Sequence, residues 1–163
     1  MKIAIISDIH DHRLKLRAAL HMLQEADEMI CCGDLCSPFI MKDLGNGFGR
    51  NIHIVFGNND GDHFRLTKIA GEFPHIQLHG EVAELQLGGK RFAVSHFDNI
   101  GRMLATSEVY DVVCYGHNHQ FEVAHDGNTL KINPGEIMGE LTGTSSFVIY
   151  DTDSGEVAKY VVE

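Results

Sequence analysis

Apolar residues fall into short blocks along this chain, and what separates the blocks changes near its middle. Ile3-Ala4-Ile5-Ile6 is an apolar run of strand length that stops at Ser7-Asp8-Ile9-His10. Beyond it, Leu16, Ala19, Leu20 and Leu23 recur at the spacing of one helical face, which predicts a helix over residues 12–26 capped by Asp11. Residues 28–32 read as a strand ending at Gly33-Asp34, and residues 51–56 as another ending at Gly57. Between them, residues 38–43 predict one or two helical turns, followed by a loop through Gly45, Gly47 and Gly49. A further helix over 62–70 is stopped by Gly71 and Pro74.

In the second half, tight turns replace helices as the separators. Residues 82–87 and 91–95 flank Gly88-Gly89, residues 121–125 and 129–132 flank Asp126-Gly127, and residues 147–150 and 157–161 flank Asp153-Ser154-Gly155. Among these hairpins, residues 100–107 predict a helix, and Val112-Val113-Cys114-Tyr115 reads as a fully buried strand. Helices between strands early and hairpins late predict a mixed α/β fold, two mixed sheets packed face to face with helices outside. With 163 residues, 44% of them hydrophobic, and no repeat or linker, the expectation is one domain over 1–163.

Charge narrows the partners. The balance of 13 basic against 23 acidic side chains, a net charge of -10, opposes long nucleic acid and anionic membranes, because the basic residues are scattered. The opening apolar run is interrupted by Asp8 and His10 too early for a signal peptide, and no apolar stretch approaches membrane-spanning length. Cys31, Cys32, Cys36 and Cys114 lack the paired spacing of a zinc ribbon, and buried thiols in a cytoplasmic protein are the expectation.

The candidate chemistry sits where strands end. Asp8 and His10 are two apart on an extended segment and point to the same side, a carboxylate and an imidazole together. Four later strand ends also finish in ligand-type residues: Gly33-Asp34, Gly57-Asn58-Asn59-Asp60, Ser95-His96 and Gly116-His117-Asn118-His119. Ligands in open sheets bind beyond the carboxyl ends of strands, so convergence of the five is expected. The glycines before Asp34, Asn58 and His117 let backbones turn and approach closely. Carboxylate, imidazole and amide donors without thiolates suit Mn, Fe, Co, Ni or Zn.

This ordered set resembles the calcineurin-like metallophosphoesterase superfamily, and within it the small single-domain YfcE-type phosphodiesterases. The resemblance implies a four-layer sandwich of two sheets flanked by helices. It implies two divalent metal ions per chain, manganese first among candidates that also include Mg. Asp8, His10, Asp34 and His119 would hold one, and Asp34, Asn58, His96 and His117 the other, with Asp34 bridging. A metal pair roughly 3.5–4 Å apart generates a bridging hydroxide that attacks phosphorus. The expected substrate is a small phosphate ester, and a homo-oligomer is implied by the size of the branch.

Departures from the family pattern shape the remaining expectations. Asn59 stands where many members have a histidine; an amide can donate to a phosphate oxygen but cannot act as an acid, so esters with good leaving groups are favoured. Phe97 follows His96 where glycine is common, and its ring could narrow the site or stack on substrate. Asp60 has two open readings, an N-cap for the next helix or a residue orienting His10 or another ligand. Glu136, in Asn133-Pro134-Gly135-Glu136, is expected to be structural, as is Asn118, and Cys36 is placed away from the metals. A nuclease is disfavoured by charge. A protein-interaction scaffold, as in the retromer subunit of this fold, is the alternative function, opposed by the complete ligand set.

Overall fold

The computed structural model describes residues 1–163. The first half alternates strand and helix: β1 (Lys2–Ile6), α1 (Arg13–Met22), β2 (Glu28–Cys31), α2 (Pro38–Gly47), β3 (Ile52–Ile54), α3 (His63–Ala70) and β4 (Ile76–Leu78). The second half is mostly hairpins: β5 (Val82–Leu87), β6 (Lys90–Ser95), α4 (Asp98–Thr106), β7 (Val112–Cys114), β8 (Glu122–Asp126), β9 (Thr129–Asn133), β10 (Ser146–Asp151) and β11 (Val157–Val161). They form a six-stranded sheet in the order β11-β10-β1-β2-β3-β4 and a five-stranded sheet in the order β5-β6-β7-β9-β8. Both are mixed, since β1 to β4 and β6-β7-β9 run parallel while the flanking pairs run antiparallel.

Strand alternation builds the layers. In β1, Ile3 and Ile5 point inward with Ile30, Cys32 and Val148 of the same sheet, to meet Phe92, Val94, Cys114 and Ile132 of the other. Ala4 and Ile6 point outward into a second core with Leu16, Leu20, Ile40, Leu44 and Leu66 on α1, α2 and α3. On the far side, Ala93 and Val113 pack with Ala105 of α4 and with Tyr115. The expected sequence of helix, sheet, sheet and helix layers is therefore what the chain forms.

Two elements differ from the sequence expectation. The first helix begins at Arg13 with His12 as N-cap, whose Nδ1 accepts from the Lys15 N–H at 3.3 Å. Asp11 takes a positive φ of 58° and turns its carboxylate onto the Ser37 backbone and hydroxyl, so it cannot cap α1. A 3-10 turn, Leu23–Glu25, completes the helical segment. The second difference is α2, which continues through Gly45 to Gly47 where a loop was expected. The glycines are there for packing: a Cβ on Gly45 would lie 2.5 Å from the Phe73 ring, and one on Gly47 would lie 2.6 Å from Leu20 Cδ1. β4, three residues long, carries too short a pattern to be read from sequence.

Gly45→Ala is accordingly expected to destabilise the protein by about 1–3 kcal/mol through overpacking, despite alanine's better helix propensity. Gly49→Ala, where nothing lies within 4 Å, should be near neutral. Urea unfolding of both variants checks this, and equal midpoints would show that the Phe73 ring yields freely.

Candidate metal centre

β1, β2 and β3 run parallel in one sheet and β6 and β7 in the other, so five carboxyl ends emerge on one edge of the sandwich. The loops that follow are bonded to one another. Asp8 N donates to Gly33 O at 3.1 Å, Ile9 N and His10 N both donate to Asp34 O at 3.0 Å, and Gly116 N donates to His96 O at 2.9 Å. Such contacts leave no room for side chains at the crossings. A Cβ on Gly57 would overlap the Asp34 carboxylate, and one on Gly116 would overlap the Ser7 hydroxyl. Asp8, His10, Asp11, Asp34, Cys36, His117 and His119 all have positive φ, and outside these loops only Glu108 among non-glycine residues does. Left-handed backbone costs energy for such residues, so its concentration here marks a site held by its surroundings.

Five expected ligands come together in two overlapping groups. Asp8, His10 and His119 form one and Asp8, Asp34 and His96 the other, each with its ligand atoms within 4.8 Å of one another. His10 Nε2 lies 3.4 Å from Asp34 Oδ2 and 3.7 Å from Asp8 Oδ1. His119 Nε2 lies 3.4 Å from Asp8 Oδ1, and His96 Nε2 lies 3.3 Å from Asp34 Oδ2 and 3.0 Å from Asn58 Oδ1. His117 joins neither group. Its backbone N–H donates to Asp8 Oδ2 at 3.2 Å, and its half-buried ring packs edge-on against His96 and Phe97, each centroid 5.1 Å away.

Tautomers follow from what the other ring nitrogens touch. His96 Nδ1 is 2.8 Å from the Cys32 carbonyl, which can only accept, so Nδ1 carries the proton. His119 Nδ1 is 2.7 Å from Glu136 Oε2, and the same reasoning applies to an ionised carboxylate. Each Nε2 then presents a lone pair to oxygens that are themselves acceptors. Asp8 Oδ1 and His10 Nε2 are buried with no hydrogen-bond partner. Acceptors facing acceptors in a buried pocket are stabilised by a cation between them, either a proton on nitrogen or a metal ion. The proton route shows in the imidazoles. The Asp8 carboxylate pushes His10 up, and at His96 burial opposes the charge but Asp34 outweighs it and the pKa is raised. Burial also works against ionisation of Asp34, yet hydrogen bonds from His96 and from Asn59 hold its carboxyl below the usual range. The donor set, oxygen and imidazole without thiolate, fits a divalent ion of the Mn, Fe, Co, Ni or Zn type.

Several residues stand differently from expectation. Asp60 does not cap the next helix, a task Asp62 performs by accepting from Arg65 N at 3.0 Å, and of its two readings the other holds, with Asp34 rather than His10 as the ligand it orients. Its buried carboxylate accepts the backbone N–H groups of Asp34, Leu35, Cys36 and Gly57 at 2.7 to 3.1 Å, tying the second and third loops together. Asn59 was expected to face substrate. Instead its backbone and side-chain nitrogens donate to the two oxygens of Asp34, both at 2.8 Å. Cys36 lies beside the site, with Sγ 3.6 Å from His10 Nδ1, and burial pushes its thiol up to about 12, so it is not a thiolate. Asn118 is structural as expected, its Oδ1 accepting from Gln120 N and Asn133 Nδ2, both at 2.9 Å.

Glu136 is the residue that sequence reasoning undervalued. It is fully buried. One oxygen takes His119, and the other accepts from Leu141 N, Thr142 N and the Thr142 hydroxyl at 2.7 to 3.0 Å. It thereby fixes the His119 ring with Nε2 toward Asp8. A buried acid 17 residues beyond a histidine leaves no local signal; only the unusual acid after Asn133-Pro134-Gly135 hinted at it.

The family model of the calcineurin-like phosphoesterase superfamily domain matches residues 1–155. The phosphodiesterase MJ0936 of Methanocaldococcus jannaschii is 33% identical, with 100% of both chains covered. The structure of an archaeal phosphodiesterase superposes with a TM-score of 0.92 at 32% identity, covering 99% of both chains. YfcE, a phosphoesterase from E. coli, superposes with a TM-score of 0.71 at 18% identity over 100% of both chains.

Replacing Glu136 by Gln should weaken divalent-metal affinity about 10–100-fold, because partners that orient ligand imidazoles carry that much. Calorimetric metal titration of the variant against wild type reads it, and unchanged affinity would show that His119 needs no such support.

Proposed function

The chain belongs to the calcineurin-like phosphoesterase superfamily, and on that premise we propose that it is a cytoplasmic phosphodiesterase using two divalent metal ions, manganese foremost, to hydrolyse small phosphate esters. Asp8, His10, Asp34 and His119 would hold one ion and Asp34, Asn58, His96 and His117 the other. Bound there, the ions would supply an activated water for attack on phosphorus and offset charge on the phosphoryl oxygens. The observation that carries this reading is the buried cluster around Asp8 Oδ1 and His10 Nε2, whose carboxylates have no Lys or Arg partner. Likeness to an archaeal phosphodiesterase, in sequence at 33% identity and in structure at 32%, over essentially the whole chain supports the reaction type.

The chain's own groups have supporting tasks. The Cys32 carbonyl and Glu136 keep the Nδ1 protons of His96 and His119, leaving Nε2 free to bind. Asn59 steadies both oxygens of Asp34, and Asp60 keeps the Asp34 and Gly57 loops at fixed separation. Phe97 and His117 form one wall, where an aryl or alkyl ester group can lie. No side chain at Asn59 can protonate a leaving group, so diesters of acidic alcohols are favoured. The alternative, a non-catalytic interaction scaffold, draws on likeness to Vps29 structures such as that from Cryptosporidium parvum, TM-score 0.68 at 18% identity, which concerns the fold alone.

Metal-stripped protein should be inactive on an aryl phosphodiester and regain turnover with Mn, with Ni, Mg and Zn tested alongside. His96→Ala should lower kcat roughly 10²–10³-fold, the usual cost of losing a group that stabilises developing charge. Tight metal binding without hydrolysis of any diester or monoester would sink the catalytic reading and favour the scaffold.

A further inference from the structure

A groove between α2 and α3 opens beside the loops that carry Asp34 and Asp60, and none of the chemistry above uses it. It has a volume of about 540 Å3 and is lined by Phe39, Phe64, Lys42, Arg65, Lys68 and Ile69. Phe39 is the second residue of α2 and Phe64 the second of α3. They are 63% and 80% exposed, whereas no other phenylalanine exceeds 40%. A single exposed apolar side chain is ordinary, but two rings facing one groove mark a surface built to be covered.

What covers them is indicated by the charges. Lys42 and Lys68 make no ion pair, and Arg65 has only the Asp62 carboxylate at 3.5 Å. Three cations beside two aromatic rings, on a chain whose net charge is -10, form a local site for an anion that also carries a flat apolar group. The one acid on the wall is Glu72, a full turn beyond Lys68. Position supplies the second argument. Cys36, whose Sγ is 3.6 Å from His10 Nδ1, precedes Phe39 by three residues, a Cα separation of at most about 11 Å. Gly61 N donates to Cys36 O at 3.3 Å, so the starts of both helices are tied to the same edge of the metal centre.

We propose that this groove binds the non-reacting half of the substrate, a nucleobase or similar aromatic ring stacked at Phe39 and Phe64, with further phosphate or sugar oxygens on Lys42 and Lys68. The ligand class is a nucleotide-type phosphodiester. The assignment of its scissile phosphate rests on the phosphodiesterase reading, while the binding itself does not. Ring stacking tolerates any base, and the cations read charge rather than sequence, so the groove discriminates nucleotide esters from simple alkyl esters and not one base from another.

Two measurements test this. The first follows the Phe39 and Phe64 ring resonances of the full-length protein by NMR during titration with adenosine 5′-monophosphate. Saturable shifts of both rings, lost in Lys42→Ala/Lys68→Ala, are expected. Absent shifts overturn the proposal whether or not the protein hydrolyses anything. So does burial of the rings by self-association, read as a concentration-dependent mass in sedimentation. The second compares kcat/KM for the p-nitrophenyl ester of thymidine 5′-monophosphate with that for methyl p-nitrophenyl phosphate. In Phe39→Ala/Phe64→Ala the ratio should fall at least about fivefold, the lower end of what one lost base stack costs. An unchanged ratio counts against the groove alone, whereas wild-type inactivity on both esters with the NMR shifts intact counts against the phosphodiesterase reading and not against the groove.

Discussion

Three imidazole nitrogens, on His10, His96 and His119, face the oxygens of Asp8 and Asp34 across gaps of 3.3 to 3.7 Å in a buried pocket. With their protons held on Nδ1, neutral His96 and His119 cannot donate to these oxygens, and Asp8 Oδ1 and His10 Nε2 have no hydrogen-bond partner. Such an arrangement is costly until a proton on nitrogen or a bound cation comes between the acceptors. Much of the architecture at this edge makes sense as the means of keeping acceptors together against their repulsion.

Holding them takes layers of support. Outermost are the parallel strands, whose direction brings five chain ends to one edge. Next are backbone hydrogen bonds between loops, which need close approach, and so glycine at positions 57 and 116. Then come buried carboxylates that never face the centre. Asp60 binds four backbone N–H groups, and Glu136 binds His119 together with the 141–142 backbone. The strained backbone of Asp8, Asp34 and their neighbours is stable because these bonds over-determine it. Cations bound at the centre would also offset part of the self-repulsion of an acidic chain.

The helices serve the site as well as the core. α2 and α3 begin where the Asp34 and Asp60 loops end, and their outer first turns carry the exposed rings of Phe39 and Phe64. The same element therefore packs Ile40, Leu44 and Leu66 inward and presents a basic, aromatic groove outward. The loops that carry the candidate ligands and the helices that carry the groove are joined through only a few residues of chain.

Local pattern determined most of the fold. Short apolar blocks marked the core strands, glycine-containing turns marked the hairpins, and ligand-type residues at four of the strand ends pointed to Asp8, His10, Asp34, His96 and His119, which the structure brings together, because apolar patterning and turn chemistry are properties of neighbouring residues. Tertiary structure decided what depends on residues far apart. A glycine stands inside α2 at position 45 because Phe73 occupies the space of its Cβ, and Asp11 lost the cap of α1 to His12 because Ser37 claims its carboxylate. Asp60 and Glu136 act on backbone and imidazole groups 17 to 26 residues away, and Asn59 turned to Asp34. A side chain's partner is set by the geometry of the assembled sheets, and no local window of sequence contains that geometry.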